Sequence, residues 1–134
     1  MFADDYIMRQ IEGLSRMLAR VLFDRDMESE ELHLDEDGTL SGSDVLAYRL
    51  KKLLHERRIN EAENLLFETL EASPLPSYGR TALDFYREIS TLSDEELAAA
   101  DFSREEIADG LREVQRLLEL PKKWNDGNGS NGKG

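Results

Sequence analysis

Residues 43–74 read SDVLAYRLKKLLHERRINEAENLLFETLEASP. Val45, Leu46, Leu50, Leu53 and Leu54 recur at the spacing of one helical face, and so do Ile59, Ala62, Leu65, Leu66 and Leu70. Ser43 or Asp44 can cap the first of these helices. Arg57 and Arg58 close it at the negative pole of its dipole. The link between the two runs is so short that the helices must fold back as an antiparallel hairpin. Pro74 then stops the second helix. The fold class that follows is all-α.

The same period extends in both directions. Asp4 and Asp5 open a first helix, expected over about residues 4–26, with Ile7, Ile11, Leu14, Leu18 and Val21 spaced by four, three, four and three. Met8, Met17, Leu22 and Phe23 widen that stripe. The stripe fits a core helix, and it also fits a seam shared with a second copy or a partner. After Pro74 and Pro76, a fourth helix from Thr81 carries Ala82, Phe85, Tyr86, Ile89 and Leu92. Ser93 with Glu96, and Ser103 with Glu106, form two capping boxes. The first opens a short turn through Ala100. The second opens a last helix with Ile107, Leu111, Val114, Leu117 and Leu118 inward, and with Gly110 placed for a close contact. Pro121 is expected to end it. The tail KKWNDGNGSNGKG, rich in glycine and asparagine, is expected to be disordered. The expectation is one domain over 1–120, of five to six helices in antiparallel hairpins, then the tail 121–134.

The chain has 134 residues and a net charge of −12. A length of this order suits a single domain with a real core. The charge opposes binding to nucleic-acid phosphates or anionic membrane, so neither is expected as a partner. No cysteine occurs, which excludes disulfides and thiolate chemistry. No apolar run is long enough to span a bilayer, and the acidic N-terminus does not read as a secretory signal. A cytoplasmic location is the simplest expectation.

Most of the negative charge lies between residues 24 and 44, where nine acids face one base, Arg25. We expect a solvated acidic connection over about residues 27–43. Within it, HLDEDGTLSGSD (33–44) resembles a calcium loop in register: Asp35, Asp37 and Gly38 stand at the third, fifth and sixth positions. His33 at the first position and Asp44 at the twelfth break the pattern. Imidazole is a poor ligand for a hard cation, and aspartate reaches less far than the usual glutamate. Asp35, Asp37 and Asp44 are therefore weak metal candidates, and no cofactor is expected.

No zinc-protease helix motif, phosphate loop or nucleophile motif is present. Pairs of carboxylates carry little meaning in a chain with 29 acids. No catalytic residue is assigned and no enzyme is expected. The basic island RLKKLLHERR (49–58) can either receive an acidic peptide or anion or pair with the acidic stretch; Arg49 and Lys52 are its candidate contacts.

Two resemblances follow from these segments. Leu46 to Pro74 resembles a degenerate tetratricopeptide (TPR) unit, with Ala62 at the small-residue position and Pro74 at the terminal proline. Leu50, Arg49 and Thr69 depart from that pattern, and one unit implies hairpin geometry without a superhelix. The second resemblance rests on DYIMR (5–9) with Ile11 and Glu12, on R-x-N-E-A-E (58–63) and on T-L-S-D-E-E-L (91–97). Over about residues 4–120 the chain resembles a family of short bacterial all-helical proteins of unknown function. It implies no activity and no residue roles.

The function expected is a non-enzymatic protein-interaction or regulatory module. It would use Ile7, Ile11, Leu14 and Leu18 of the first helix, or Arg49 and Lys52 of the hairpin, toward a protein partner or a second copy. The alternatives are a small-ligand or metal-binding module built on the acidic stretch, and an enzyme with an unrecognised site.

Overall fold

A computed structural model describes the backbone of residues 2–29 and 42–131 and the side chains of 5–24 and 42–119. Among the described residues there are six helices and no strand: α1 (Phe2–Ser29), α2 (Gly42–His55), α3 (Ile59–Ala72), α4 (Pro76–Ser90), α5 (Asp94–Ala99) and α6 (Arg104–Asn131). The all-α expectation holds. No described helix is long and apolar enough to cross a membrane.

Helix α4 is the hub. It packs against α1, α2, α3 and α6, while α1 also lies along α6 and α2 pairs with α3. One hydrophobic cluster takes side chains from all six helices. Leu18, Leu66, Ile89, Ile107 and Leu118 are fully inaccessible, and each such side chain contributes about 1.5–3 kcal/mol by leaving water. Two glycines let the helices meet at this hub. A side chain at Gly79 would collide with Leu22 of α1 and Leu118 of α6. At Gly110 of α6 it would meet the hydroxyl and ring of the buried Tyr86. The close contact expected at Gly110 is thus real, and its occupant is an aromatic ring.

The centre of the α1 stripe closes on its own chain, whereas Met8, Met17 and Phe23, expected to widen it, are exposed. Ile7, Ile11, Leu18 and Leu22 are buried, and Leu14 is half-buried against the same cluster. Three of the four α1 residues named as interaction candidates, Ile7, Ile11 and Leu18, therefore serve the core. Spacing alone could not decide this, because core and seam share one period.

Local signals set most boundaries, with three departures. Helix α4 starts at Pro76, five residues before the expected Thr81. Proline at the first helical position loses nothing, since that N–H has no intrahelical partner. Helix α2 starts at Gly42, which puts Ser43 and Asp44 in its first turn and not before it. Helix α6 passes Pro121, where its end and a disordered tail were expected, and continues to Asn131. A proline there removes one backbone hydrogen bond, and no described side chain accounts for the continuation. Val45, placed on the buried stripe of α2, is 45% exposed.

Both tight corners end in the same way. At the end of α2, Arg57 N–H donates to the Leu54 carbonyl and Arg58 N–H to the Leu53 carbonyl, with Arg57 left-handed at φ 60°. After α5, Asp101 N–H donates to Ala98 and Phe102 N–H to Leu97, with Asp101 at φ 61°. These are Schellman closures with a non-glycine residue where glycine is favoured. Leu97 and Phe102, both buried, add the apolar contact that accompanies the motif.

Candidate functional site

The two corners touch. Arg57 Nη2 donates to Glu96 Oε2 at 3.3 Å, and Asn60 Nδ2 donates to the Asp101 carbonyl at 3.1 Å and the Ala100 carbonyl at 3.5 Å. Glu96 also accepts from the Ser93 N–H at 2.9 Å while the Ser93 hydroxyl accepts from the Glu96 N–H, completing the expected capping box. The Ser93 N–H, then Arg57, hold the Glu96 carboxyl below its ordinary value. Arg104, at the start of α6, has a side chain only 12% exposed. It donates to the Leu92 carbonyl at 2.7 Å, the Ser90 carbonyl at 3.3 Å and Asp94 Oδ1 at 2.9 Å. The second box, Ser103 with Glu106, is present as expected. Glu96 of T-L-S-D-E-E-L is thus tied to the α2–α3 turn, and Asn60 of R-x-N-E-A-E to the turn that follows α5.

One further motif residue reaches inward. Tyr86 Oη donates to Glu63 Oε2 at 2.6 Å, joining α3 to α4 beneath Gly110. Burial pushes the Glu63 carboxyl above its ordinary value; the Tyr86 bond opposes this and the nearby Glu106 and Asp109 charges add to it. Burial and the Glu63 charge push the Tyr86 phenol up strongly. Sequence reasoning missed this pair. Its only signal was Tyr86 on a core stripe, where a hydroxyl needs a partner.

Open surface lies elsewhere, on both sides of α4. Between α1 and α4 is a cleft of about 520 Å³ lined by Met8, Arg9, Glu12, Arg16, Arg87 and Ser90 among others. It holds Asp5, Met8 and Arg9 of the DYIMR segment. Between α2 and α4 a groove of about 440 Å³ is lined by Lys51, Leu54, His55, Arg57, Glu88 and Leu92 with their neighbours. A smaller hollow of about 190 Å³ sits beside it, with Ala47 and Phe85.

The bases on these helices are distinctive. The side chains of Arg9, Arg20, Arg49, Lys51, Lys52 and Arg87 are exposed, and none makes an ion pair or hydrogen bond with a described residue, though the Lys52 charge helps to lower the Glu56 carboxyl. Arg49 and Lys52, both sequence candidates, stand on the outward side of α2. There they flank Tyr48, 69% exposed, and Val45. Between Asp44 and Glu56 the helix carries no acid.

The metal candidates do not come together in the described residues. Asp44 lies in the first turn of α2. Asp35 and Asp37 lie outside the described residues, as does His33. Among the described residues no group of three or more acids or histidines is arranged to hold a metal ion.

A model of a family described as being of unknown function (DUF6483) matches residues 1–119. No curated protein and no solved structure matches the chain.

Proposed function

The chain belongs to that family of unknown function, and on that premise we propose that it is a non-enzymatic interaction module whose contact surface is the face formed by α1, α4 and α2. The observation that carries this reading is the set of exposed bases on that face, without ion-pair or hydrogen-bond partners among the described residues, beside Met8, Val45 and Tyr48. A solvated base with no partner contributes little to a fold, whereas exposed aromatic and cationic side chains together suit a contact surface. The proposed setting is the cytoplasm, in bacterial cells, which a cysteine-free chain suits. The tetratricopeptide likeness enters only through the α2–α3 hairpin, whose outward helix supplies part of the face.

Affinity capture from the native cells tests the reading, with the wild-type chain beside a variant carrying Arg49→Glu, Lys52→Glu and Arg87→Glu. The wild type should retain a partner that the variant loses. Identical recovery on both would remove the basis for assigning contact to this face.

A further inference from the structure

We infer that the outward side of α2, with the α2/α4 groove beside it, binds an acidic amphipathic segment of a partner protein. This rests on the interaction-module reading and names the chemistry of the occupant.

Charge complementarity selects it. Val45, Tyr48, Lys52 and His55 follow at spacings of three, four and three, so they form one exposed ridge along α2. Arg49 lies on one flank of that ridge and Lys51 on the other. None of the three side chains has an ion-pair or hydrogen-bond partner among the described residues, although Lys52 lies within reach of the Glu56 charge one turn on, and no acid interrupts them. The chain as a whole carries −12, so a local run of three cations is against the trend of the surface. At physiological ionic strength charges interact over only about 8 Å. A docked segment therefore feels this ridge more than the distant acids.

The apolar elements set the second requirement. Tyr48 and Val45 give exposed contact area at the ridge; past Lys51 and His55 the groove has Leu54 and Leu92 in its walls, and the smaller hollow next to it has Phe85. A segment with carboxylates at helical spacing and one apolar anchor meets both. Glu88 and Asp84 on the α4 side of the groove disfavour a carboxylate there and so place the anchor, not the acids, in the groove. The fourteen residues of α2 span about 21 Å, room for roughly three to four turns of a partner helix. A nucleic-acid strand would need a longer basic track with stacking platforms. A membrane would need a wider apolar face.

The test is fluorescence anisotropy on the full chain at low and physiological salt. The probe is a labelled peptide of about 15 residues with Glu and Leu on opposite helical faces, and its control has Gln for every Glu. The expected result is saturable binding of the acidic peptide, about tenfold or more weaker for the control and for Arg49→Glu/Lys52→Glu. Arg112→Glu, the same change of charge at an exposed base on α6 away from this face, should leave binding unchanged. Circular dichroism should show the variants folded.

Equal binding of both peptides, abolished by Tyr48→Asp, would overturn the acidic occupant and leave the interaction module standing. Amide-shift mapping that shows neither peptide touching the α1, α4 and α2 face at any concentration would overturn both. Tighter binding to phosphatidylserine vesicles or to polyuridylate, lost in Arg49→Glu/Lys52→Glu, would overturn the peptide in favour of a membrane or RNA.

Discussion

At the corner joining the α2–α3 turn to α5 and the start of α6, each arginine has an acid or a backbone carbonyl to bind; on α1, α2 and α4 the side chains of six bases have neither among the described residues. Both regions lie on the same small bundle and are rich in charge. At the corner, charge closes helix ends whose carbonyls and N–H groups would otherwise lack partners. On the open face it is left to solvent. A buried or half-buried polar group must be satisfied by the fold itself, whereas a fully exposed base need not be. The difference separates residues that hold the molecule together from residues available to something outside it.

The sharpest way to break this contrast lies beneath the corner, at Gly110. Gly110→Ala should cost about 2–3 kcal/mol, because its Cβ would occupy the space of the Tyr86 hydroxyl and ring. Helix propensity alone predicts the opposite, a gain of about 1 kcal/mol. Urea denaturation decides between them, and a stabilised variant would mean Tyr86 is not seated there.

Arg104→Met should follow, with a loss of about 2 kcal/mol, because the carbonyls of Ser90 and Leu92 lose their donor in a half-buried setting. A melting temperature within error of wild type would demote the corner to a surface decoration.

Glu63→Gln tests pH dependence. The folded-state pKa of Glu63 is raised, so the native state holds this proton more tightly than the unfolded chain. Its contribution is therefore favourable at low pH and is lost as pH rises from the ordinary carboxylate value through the raised one. Glutamine keeps an oxygen for the Tyr86 hydroxyl and has no charge to bury. The variant should be more stable than wild type at neutral pH, and the advantage should shrink on acidification. Denaturation at several pH values reads this, and a constant difference would contradict it.

Arg57→Gly sets two small effects against each other: relief of the left-handed conformation and loss of an exposed ion pair. The net change should stay within about 0.5 kcal/mol. Smaller still is Arg49→Glu/Lys52→Glu, with no resolvable change in stability, since neither side chain makes an ion pair or hydrogen bond with a described residue and the Lys52–Glu56 attraction is fully exposed to solvent. A clear destabilisation would move α2 into the structural region and sink the contrast.

The chemistry legible in sequence was local. The α2–α3 hairpin, both capping boxes and the buried faces of α3 and α6 follow from spacing and from residues three or four apart. The pairings Arg57 with Glu96, Asn60 with Asp101 and Tyr86 with Glu63 were not legible, because their members are 39, 41 and 23 residues apart. Half of these residues, Asn60, Glu63 and Glu96, fall in segments that stand out as patterns, yet nothing in either pattern names the partner. The α1 stripe failed differently. Its period was read correctly, but a period gives a face and not the neighbour that covers it. With Ile7, Ile11 and Leu18 buried against their own chain, the seam that favoured self-association is already filled. For the basic island both readings, structural and receptive, stand, because most of the acidic stretch that the structural one pairs with it lies outside the described residues.

Tyr86 carries one practical consequence. Its phenol, sealed under Gly110 and facing the Glu63 carboxylate, resists ionisation far above the ordinary tyrosine value. In an alkaline titration its share of the phenolate absorbance should therefore appear only when the bundle gives way, in step with the loss of helical ellipticity. The molecule carries its own optical indicator of core integrity, with no label and no engineered tryptophan.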